Sequence, residues 1–377
     1  MADKSQIRIV FGVDFVNVSG VDSVNLCLAQ GLHKLGYDCQ IISFGNSEHL
    51  FGNDYMGIPV KRIGGLAGFL RIFFPRGRDW SRVRAWWNRR QAHRWLKEQR
   101  PLLLVAGHLT PLWMPKTKGV FQLGVIHAPD AQNLSHAEKY HHLWDLCIGV
   151  SSETSQKAQT DIPNLKGRVH TIVNGVTIPE ILNIQREREK DVPLRLLYCG
   201  RMAQEQKQIF DLITIGEKLI ERGVAFELLI AGEGPDSIDF KQRVQHSRLN
   251  KFTSLKGALP RDEVYALMHM ADVFLLPSAY EGTPMALLEA MARGCIPVCS
   301  RGCGGALPML EMAFPELLFE SGNTHQAAEI IQGLSKRILE INRIRHESHA
   351  LIQQSAHNID TMIQSYAKFI DKSLEQI

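Results

Sequence analysis

Two carboxylates eight residues apart, Glu281 and Glu289, stand in the segment SAYEGTPMALLEAMARG that runs from Ser278 to Gly294. Gly282, Thr283 and Pro284 are turn formers, and Met285 to Arg293 has the composition of a helix with Gly294 as its stop. The first turn of a helix presents unpaired N–H groups and about half a positive charge, which makes it a seat for phosphate. One glutamate precedes that seat, and the other lies about a turn and a half inside the helix. The arrangement suits a ligand with phosphates at its centre and hydroxyl-rich groups at both ends, as in a nucleotide sugar. Taken alone, the same spacing also describes a strand–turn–helix with two surface acids.

Upstream, the apolar run Leu194–Cys199 leads into Gly200-Arg201, and Lys207 follows six residues after the arginine. A diphosphate gathers negative charge as its bond to a sugar breaks, so its departure needs cations. Arginine offers a fixed fork of donors and lysine a mobile point charge. The plain alternative is a solvated Arg/Lys pair. Ala231-Gly232-Glu233-Gly234-Pro235 follows the next apolar run, and Gly257-Ala258-Leu259 precedes a helix start at Pro260-Arg261-Asp262-Glu263. Small residues at strand ends let a ligand approach the backbone closely, although simple turns use them too.

The E-x7-E string, with its turn, its Leu-Leu-Glu-Ala-Met run and its G-x-x-P exit, resembles the retaining GT-B glycosyltransferases of the family-4 type, as does the G-R-x5-K pattern. The resemblance implies an α/β protein of two Rossmann-like doubly wound domains facing a central cleft. It implies that Glu281 contacts the donor sugar, that Glu289 holds the ribose hydroxyls, and that Arg201 and Lys207 grip the diphosphate. Gly200, Gly232 and the loop Gly257, Ala258 and Leu259 would lie along the nucleotide, and Gly282, Thr283, Pro284, Met285, Ala286 and Leu287 would line the donor. The family usually has glycine after the lysine, where this chain has Gln208.

In the first half, Asn17-Val18-Ser19-Gly20 opens a helix running from Ser23 to Leu32. Related enzymes carry a Gly-Gly pair there beside the donor phosphates; Gly20 matches one position and Val21 takes the other. His127, ending the run Phe121–Ile126, corresponds to a histidine beside the donor sugar, and His108 is a weaker neighbour. The family's reaction retains the anomeric configuration without an enzyme nucleophile, the leaving phosphate accepting the acceptor's proton. The chain contains no D-x-D, so a metal-bridged diphosphate is not expected, and neither is a cofactor. The co-substrate would be a nucleotide sugar, with uridine the expected base.

Short apolar, β-branched runs alternate with helical patterns along the 377 residues, as in parallel sheets with crossover helices. Strands are predicted at Ile7–Val13, Gln40–Ser43, Leu102–Ala106, Phe121–Ile126, Leu146–Val150 and His170–Val173 in a first series. A second series comprises Leu194–Cys199, Phe226–Ala231, Val273–Pro277 and Ile296–Ser300. A charged stretch at Gln185–Asp191 separates the two, giving domains 1–177 and 178–356, with a closing helical segment 357–377 packed back on the first. In the family the acceptor lies mainly on the first domain and the nucleotide on the second.

The net charge of +4 names no partner by itself, but its distribution is uneven. Residues 61–100 hold twelve Lys/Arg against two acids, a local charge of +10, so the rest of the chain carries −6. Phe73, Phe74, Trp80, Trp86, Trp87 and Trp95 interleave with Arg82, Arg89 and Arg90. That is the composition of a helix lying among lipid headgroups, and Trp80, Val83, Trp87 and Trp95 share one sector of a helical wheel, with arginines intruding. A solvated basic helix and a phosphate-rich acceptor site are the alternatives.

No apolar leader or spanning run is evident, and seven cysteines without disulfide-type spacing fit a reducing cytoplasm. Cys295, Cys299 and Cys303 are read as packing around a strand rather than as metal ligands, with no histidine near them. The combined expectation is a cytoplasmic transferase, peripheral on the inner membrane's cytoplasmic face, acting on lipopolysaccharide or a lipid-linked saccharide. A soluble transferase, a GT-B sugar-nucleotide epimerase and a nucleic-acid binder remain as alternatives.

Overall fold

A computed structural model describes residues 4–13, 20–43, 54–63, 78–99, 103–106, 114, 116–179 and 192–375. The chain divides into two compact units, residues 1–173 with 362–377 and residues 174–361.

The first unit is built on β1 Arg8–Val13, β2 Asp38–Ser43, β3 Asp54–Tyr55, β4 Ile58–Arg62, β5 Leu103–Ala106, β6 Phe121–Ile126, β7 Leu146–Gly149 and β8 Val169–Thr171. They lie in the order β3-β4-β2-β1-β5-β6-β7-β8, and the short β3 runs antiparallel to β4 while the other pairs are parallel. The helix Gly20–Lys34 follows β1. From residue 362 the helix Ile359–Leu374 belongs to this unit, and it buries Met362, Ile363, Tyr366, Ala367 and Ile370, the spacing of one apolar stripe. Tyr37 donates to Asp371 at 2.6 Å, and Ile363 lies so close to Gly31 that a Cβ there would stand 2.2 Å from it.

The described parts of the basic segment belong to this unit's frame. Lys61 and Arg62 end β4, and Arg78–Gln99 is a helix on the path from β4 to β5. Ala92 and Leu96 are fully buried with Val10, Ile42, Ile63, Leu104, Met114 and Val120, and Trp95 packs against the same cluster. Trp95 therefore packs towards the core, so part of the sector grouped by the helical wheel faces the protein interior. Trp86 is 55% exposed, with the Arg90 guanidinium 5.6 Å over its ring, and Arg89 and Arg90 are exposed beside it. Phe73 and Phe74 lie outside the described residues, as do the side chains of Trp80 and Arg82.

The second unit holds β9 Leu194–Cys199, β10 Phe226–Ala231, β11 Thr253–Gly257, β12 Val273–Leu276, β13 Ile296–Ser300 and β14 Leu318–Phe319. Their order is β11-β10-β9-β12-β13-β14, all parallel. Every residue of β12 and β13 is buried, because helices cover both faces of the sheet. Tyr198, Phe240, Phe274 and Phe319 are the largest side chains enclosed there. The chain builds outward from β9 to β11 and then returns to place β12 on β9's other side, so the order reverses between β9 and β12. In an open parallel sheet that reversal splays the loops leaving the two strands and opens a crevice at their C-terminal ends.

Candidate active site

The loops leaving β9 and β12 carry the residues singled out from the sequence. After β9, Gly200 donates its N–H to the Ala231 carbonyl at 3.0 Å. Tyr198, fully buried, donates its hydroxyl to the Arg201 carbonyl at 2.9 Å. Burial and the nearby Glu281 raise the Tyr198 pKa, so the hydroxyl keeps its proton as a donor. The Arg201 backbone is thereby fixed while its side chain is exposed.

A one-turn helix, Gln204–Lys207, follows, and it ends on Gln208 at φ +49° and ψ +44°. This is the left-handed region that glycine enters at no steric cost, which is the physical reason a glycine suits that position. Gln208→Gly is expected to raise the unfolding free energy by roughly 0.5–1 kcal/mol. A higher urea midpoint at unchanged slope checks it; a lower midpoint would mean that the Gln204–Gln208 side-chain hydrogen bond outweighs the strain.

The β9 and β12 loops are joined by Ala279 N–H donating to the Gln206 carbonyl at 2.8 Å, and by their side chains. Lys207 Nζ lies 2.6 Å from Glu281 Oε1, and Ser278 Oγ donates to the same oxygen at 2.7 Å. The side chains are 18% and 5% exposed, so this ion pair is largely withdrawn from water. Two residues expected to touch different parts of a ligand are thus direct partners, both contacts falling on one glutamate oxygen.

The loop carrying Glu281 rests on glycines. A Cβ at Gly302 would stand 2.3 Å from the Ala279 carbonyl, and one at Gly304 2.1 Å from that of Glu281. Ser300 Oγ donates to the Ser278 carbonyl, and Gly305 N–H to the Gly282 carbonyl at 2.7 Å. Cys299 and Cys303 are buried, and Cys295 Sγ donates to the Met268 carbonyl at 3.0 Å. Gly282 and Pro284 are buried, Thr283, Met285 and Ala286 half-buried, and Leu287 is fully enclosed in the core. The helix is Met285–Met291, and Gly294 at φ +80° ends the turn after it.

The ends of β9, β10 and β11 meet backbone to backbone. Gly232, at φ +136°, would place a Cβ 1.9 Å from the Gly200 carbonyl, and its N–H donates to the Gly257 carbonyl at 2.7 Å. Ala258 is exposed and Leu259 half-buried after it.

Glu289, 16% exposed, accepts Arg261 Nη2 and the Tyr265 hydroxyl on Oε1, each at 3.0 Å. Arg293 stacks its guanidinium 3.4 Å above the Tyr265 ring and donates from Nη1 to the Glu289 carbonyl at 2.9 Å. Sequence reading passed over Tyr265, Arg293, Ser278, Gly302 and Gly304, and took Arg261 only as a helix start. The four-residue spacings Arg261–Tyr265 and Glu289–Arg293, each on one helical face, were the available signal. In the first unit, Gly20 is the exposed first residue of its helix, and His127 follows β6 half-buried. Asn17, Ser19 and His108 lie outside the described residues.

Two Rossmann-like sheets in one chain, the second with its loop cluster at the strand reversal, define the GT-B class of fold. The Anabaena HepE structure in complex with UDP and glucose shares this fold, at 16% identity and TM-score 0.73 over 97% of this chain and 100% of that one. Residues 18–178 match the family described as Glycosyltransferase Family 4, and residues 180–350 match Glycosyl transferases group 1; the chain belongs to these group-1, family-4 glycosyltransferases.

Among curated relatives, the putative colanic acid biosynthesis glycosyltransferase WcaL of Salmonella typhimurium is 32% identical over 163 residues, 42% of this chain and 38% of the relative. The 2-deoxystreptamine glucosyltransferase of Streptomyces kanamyceticus is 32% identical over 143 residues, 38% of this chain and 35% of the relative. The chain thus spans less than two fifths of the length of these two relatives.

Proposed function

We propose that this chain is a retaining glycosyltransferase that moves a sugar from a nucleotide-sugar donor, with UDP as the carrier, onto a membrane-associated glycan such as lipopolysaccharide or a lipid-linked saccharide. The observation that carries the reading is the Lys207–Glu281 pair at the reversal of the second sheet, with Arg201 on the same loop. Lysine has three N–H donors, so Lys207 can keep Glu281 and still meet a phosphate oxygen. Glu281 and Glu289 each take their protein partners through Oε1, and Oε2 is the oxygen assigned to ligand hydroxyls: those of the sugar at Glu281 and of the ribose at Glu289.

In the proposed reaction the bond between the anomeric carbon and the β-phosphate oxygen breaks. Arg201, Lys207 and the positive end of the helix Met285–Met291 stabilise the charge left on the diphosphate. The acceptor hydroxyl enters on the same face of the sugar, and its proton passes to the departing phosphate oxygen. His127 is assigned to the donor sugar. This scheme uses protein cations where other transferases use a divalent metal, in keeping with a chain that has no D-x-D.

A thermal-shift panel of nucleotide sugars tests the reading, since a ligand of the native state raises the melting temperature. Stabilisation by at least one donor, abolished in Glu289→Ala, is the expected result; a panel with no shift overturns the proposal.

The membrane assignment is supported by Trp86, exposed with Arg89 and Arg90, on a helix anchored in the core further along at Ala92 and Leu96. Among the described residues no helix is long and apolar enough to cross a membrane. Replacing Trp86 with Ser and Arg89 and Arg90 with Gln should weaken binding to anionic vesicles by roughly 30-fold or more, at about 1 kcal/mol per arginine. Donor binding should be unchanged. The similarity to a 2-deoxystreptamine glucosyltransferase favours a second reading, transfer to a small soluble acceptor. Vesicle binding that is absent in the unmodified protein would select it.

A further inference from the structure

Glu289 is enclosed by three side chains, two from the helix Arg261–Met270 and one from the turn after its own helix. Arg261 and Tyr265 stand one turn apart on the helix Arg261–Met270, and both donate to Oε1. Arg293, only 5% exposed, covers the Tyr265 ring at 3.4 Å and is tied to the Glu289 carbonyl, so the ring has no room to swing away. Arg261 also donates from Nε to the Tyr265 oxygen. The phenol therefore accepts from one neighbour and donates to the other. Burial and the adjacent Glu289 carboxylate push the Tyr265 pKa upward, which keeps the donated proton in place.

Two cations and one carboxylate leave the group positive, which favours an anionic ligand over a neutral one. The helix itself starts directly after the Gly257–Pro260 loop, next to the strand ends that meet at Gly200 and Gly232. A carboxylate pinned through one oxygen by two donors has lost its freedom to rotate before any ligand arrives. Its other oxygen is then presented in a single direction.

We propose that Tyr265 and Arg261 are positioning residues for ribose recognition: by fixing Oε1 of Glu289 they aim Oε2 at the 2′ and 3′ hydroxyls of a nucleoside diphosphate, and so set the preference of the site for ribose. The proposal rests on the donor-site reading above and extends it to a second layer of residues.

Calorimetry tests it. UDP, ADP and GDP are titrated into the full chain, and the tightest binder is then compared with its 2′,3′-dideoxy form. The unmodified protein is expected to prefer the ribose form by about 10- to 100-fold, the value of hydrogen bonds to a charged group. In Tyr265→Phe, and in Arg261→Gln on the exposed side of the cage, that ratio should collapse to within about threefold. Arg261→Lys, which keeps the charge but not the fork, should recover only part of it.

A merely structural role would weaken both ligands equally or lower the melting temperature, leaving the ratio intact; an unchanged ratio in both variants overturns the proposal. Should Tyr265→Phe fold poorly, Arg261→Gln decides alone. If the unmodified protein binds none of the three diphosphates, the donor reading itself fails. If it binds one but does not distinguish the dideoxy form, the ribose role of Glu289 fails and this proposal with it.

Discussion

Lys207→Ala is expected to lower the unfolding free energy by about 3–5 kcal/mol and turnover by about 10²–10³-fold. The stability loss arises because Glu281 is 5% exposed and would keep a buried negative charge with only Ser278 as partner. Breaking a withdrawn pair from one side costs more than removing both charges, since the orphaned ion cannot regain its hydration. The double variant Lys207→Met with Glu281→Gln should therefore recover most of the urea midpoint. It should not recover turnover, because the cation proposed to meet the leaving diphosphate is absent in both. A single variant as stable as the parent would show that the pair does not persist in solution. A double variant with restored turnover would remove Lys207 from the reaction.

Gly232→Ala is the second large effect, of about 2–4 kcal/mol. A Cβ there would lie 1.9 Å from the Gly200 carbonyl, and φ +136° is strained for any other residue. Backbone cannot yield as a flexible side chain does, so the end of β9 must move by about 1 Å or more, carrying Arg201 with it. A displacement of that size near reacting groups costs on the order of 100-fold in activity. Gly223→Ala supplies the control. Its φ is +68° with nothing within 4 Å of the added carbon, so it isolates the backbone strain, about 1–2 kcal/mol, and leaves donor binding alone. Equal effects of the two substitutions would remove the close approach at Gly200 from the account.

The central strands were legible because helices cover both faces of each sheet and demand continuous apolar runs. Phe121–Ile126, Leu194–Cys199, Phe226–Ala231 and Ile296–Ser300 have the boundaries read from the sequence. The strands that escaped lie towards sheet edges. β4 buries only Ile58 and Val60 of its five residues, and β11 exposes Leu255 and Lys256, so neither carries an apolar run. The two-residue strands β3 and β14 are too short to carry a pattern. The attachment of the basic helix was hidden for a related reason. Its charge dominates the composition, whereas its attachment depends on Ala92 and Leu96, two modest residues that packing alone reveals as core.

The local sequence by itself determined the glutamate string, the turn that separates its acids, the cations after β9 and the glycines at the strand ends. Each of these is a matter of neighbouring residues and backbone preference. Only the tertiary structure decided that Lys207 and Glu281 share one oxygen contact, that Gly302 and Gly304 carry the loop, and that Arg261, Tyr265 and Arg293 enclose Glu289. Those partners come from elements that meet because the sheet reverses its order between β9 and β12, and contact between distant segments leaves no periodic trace along the chain.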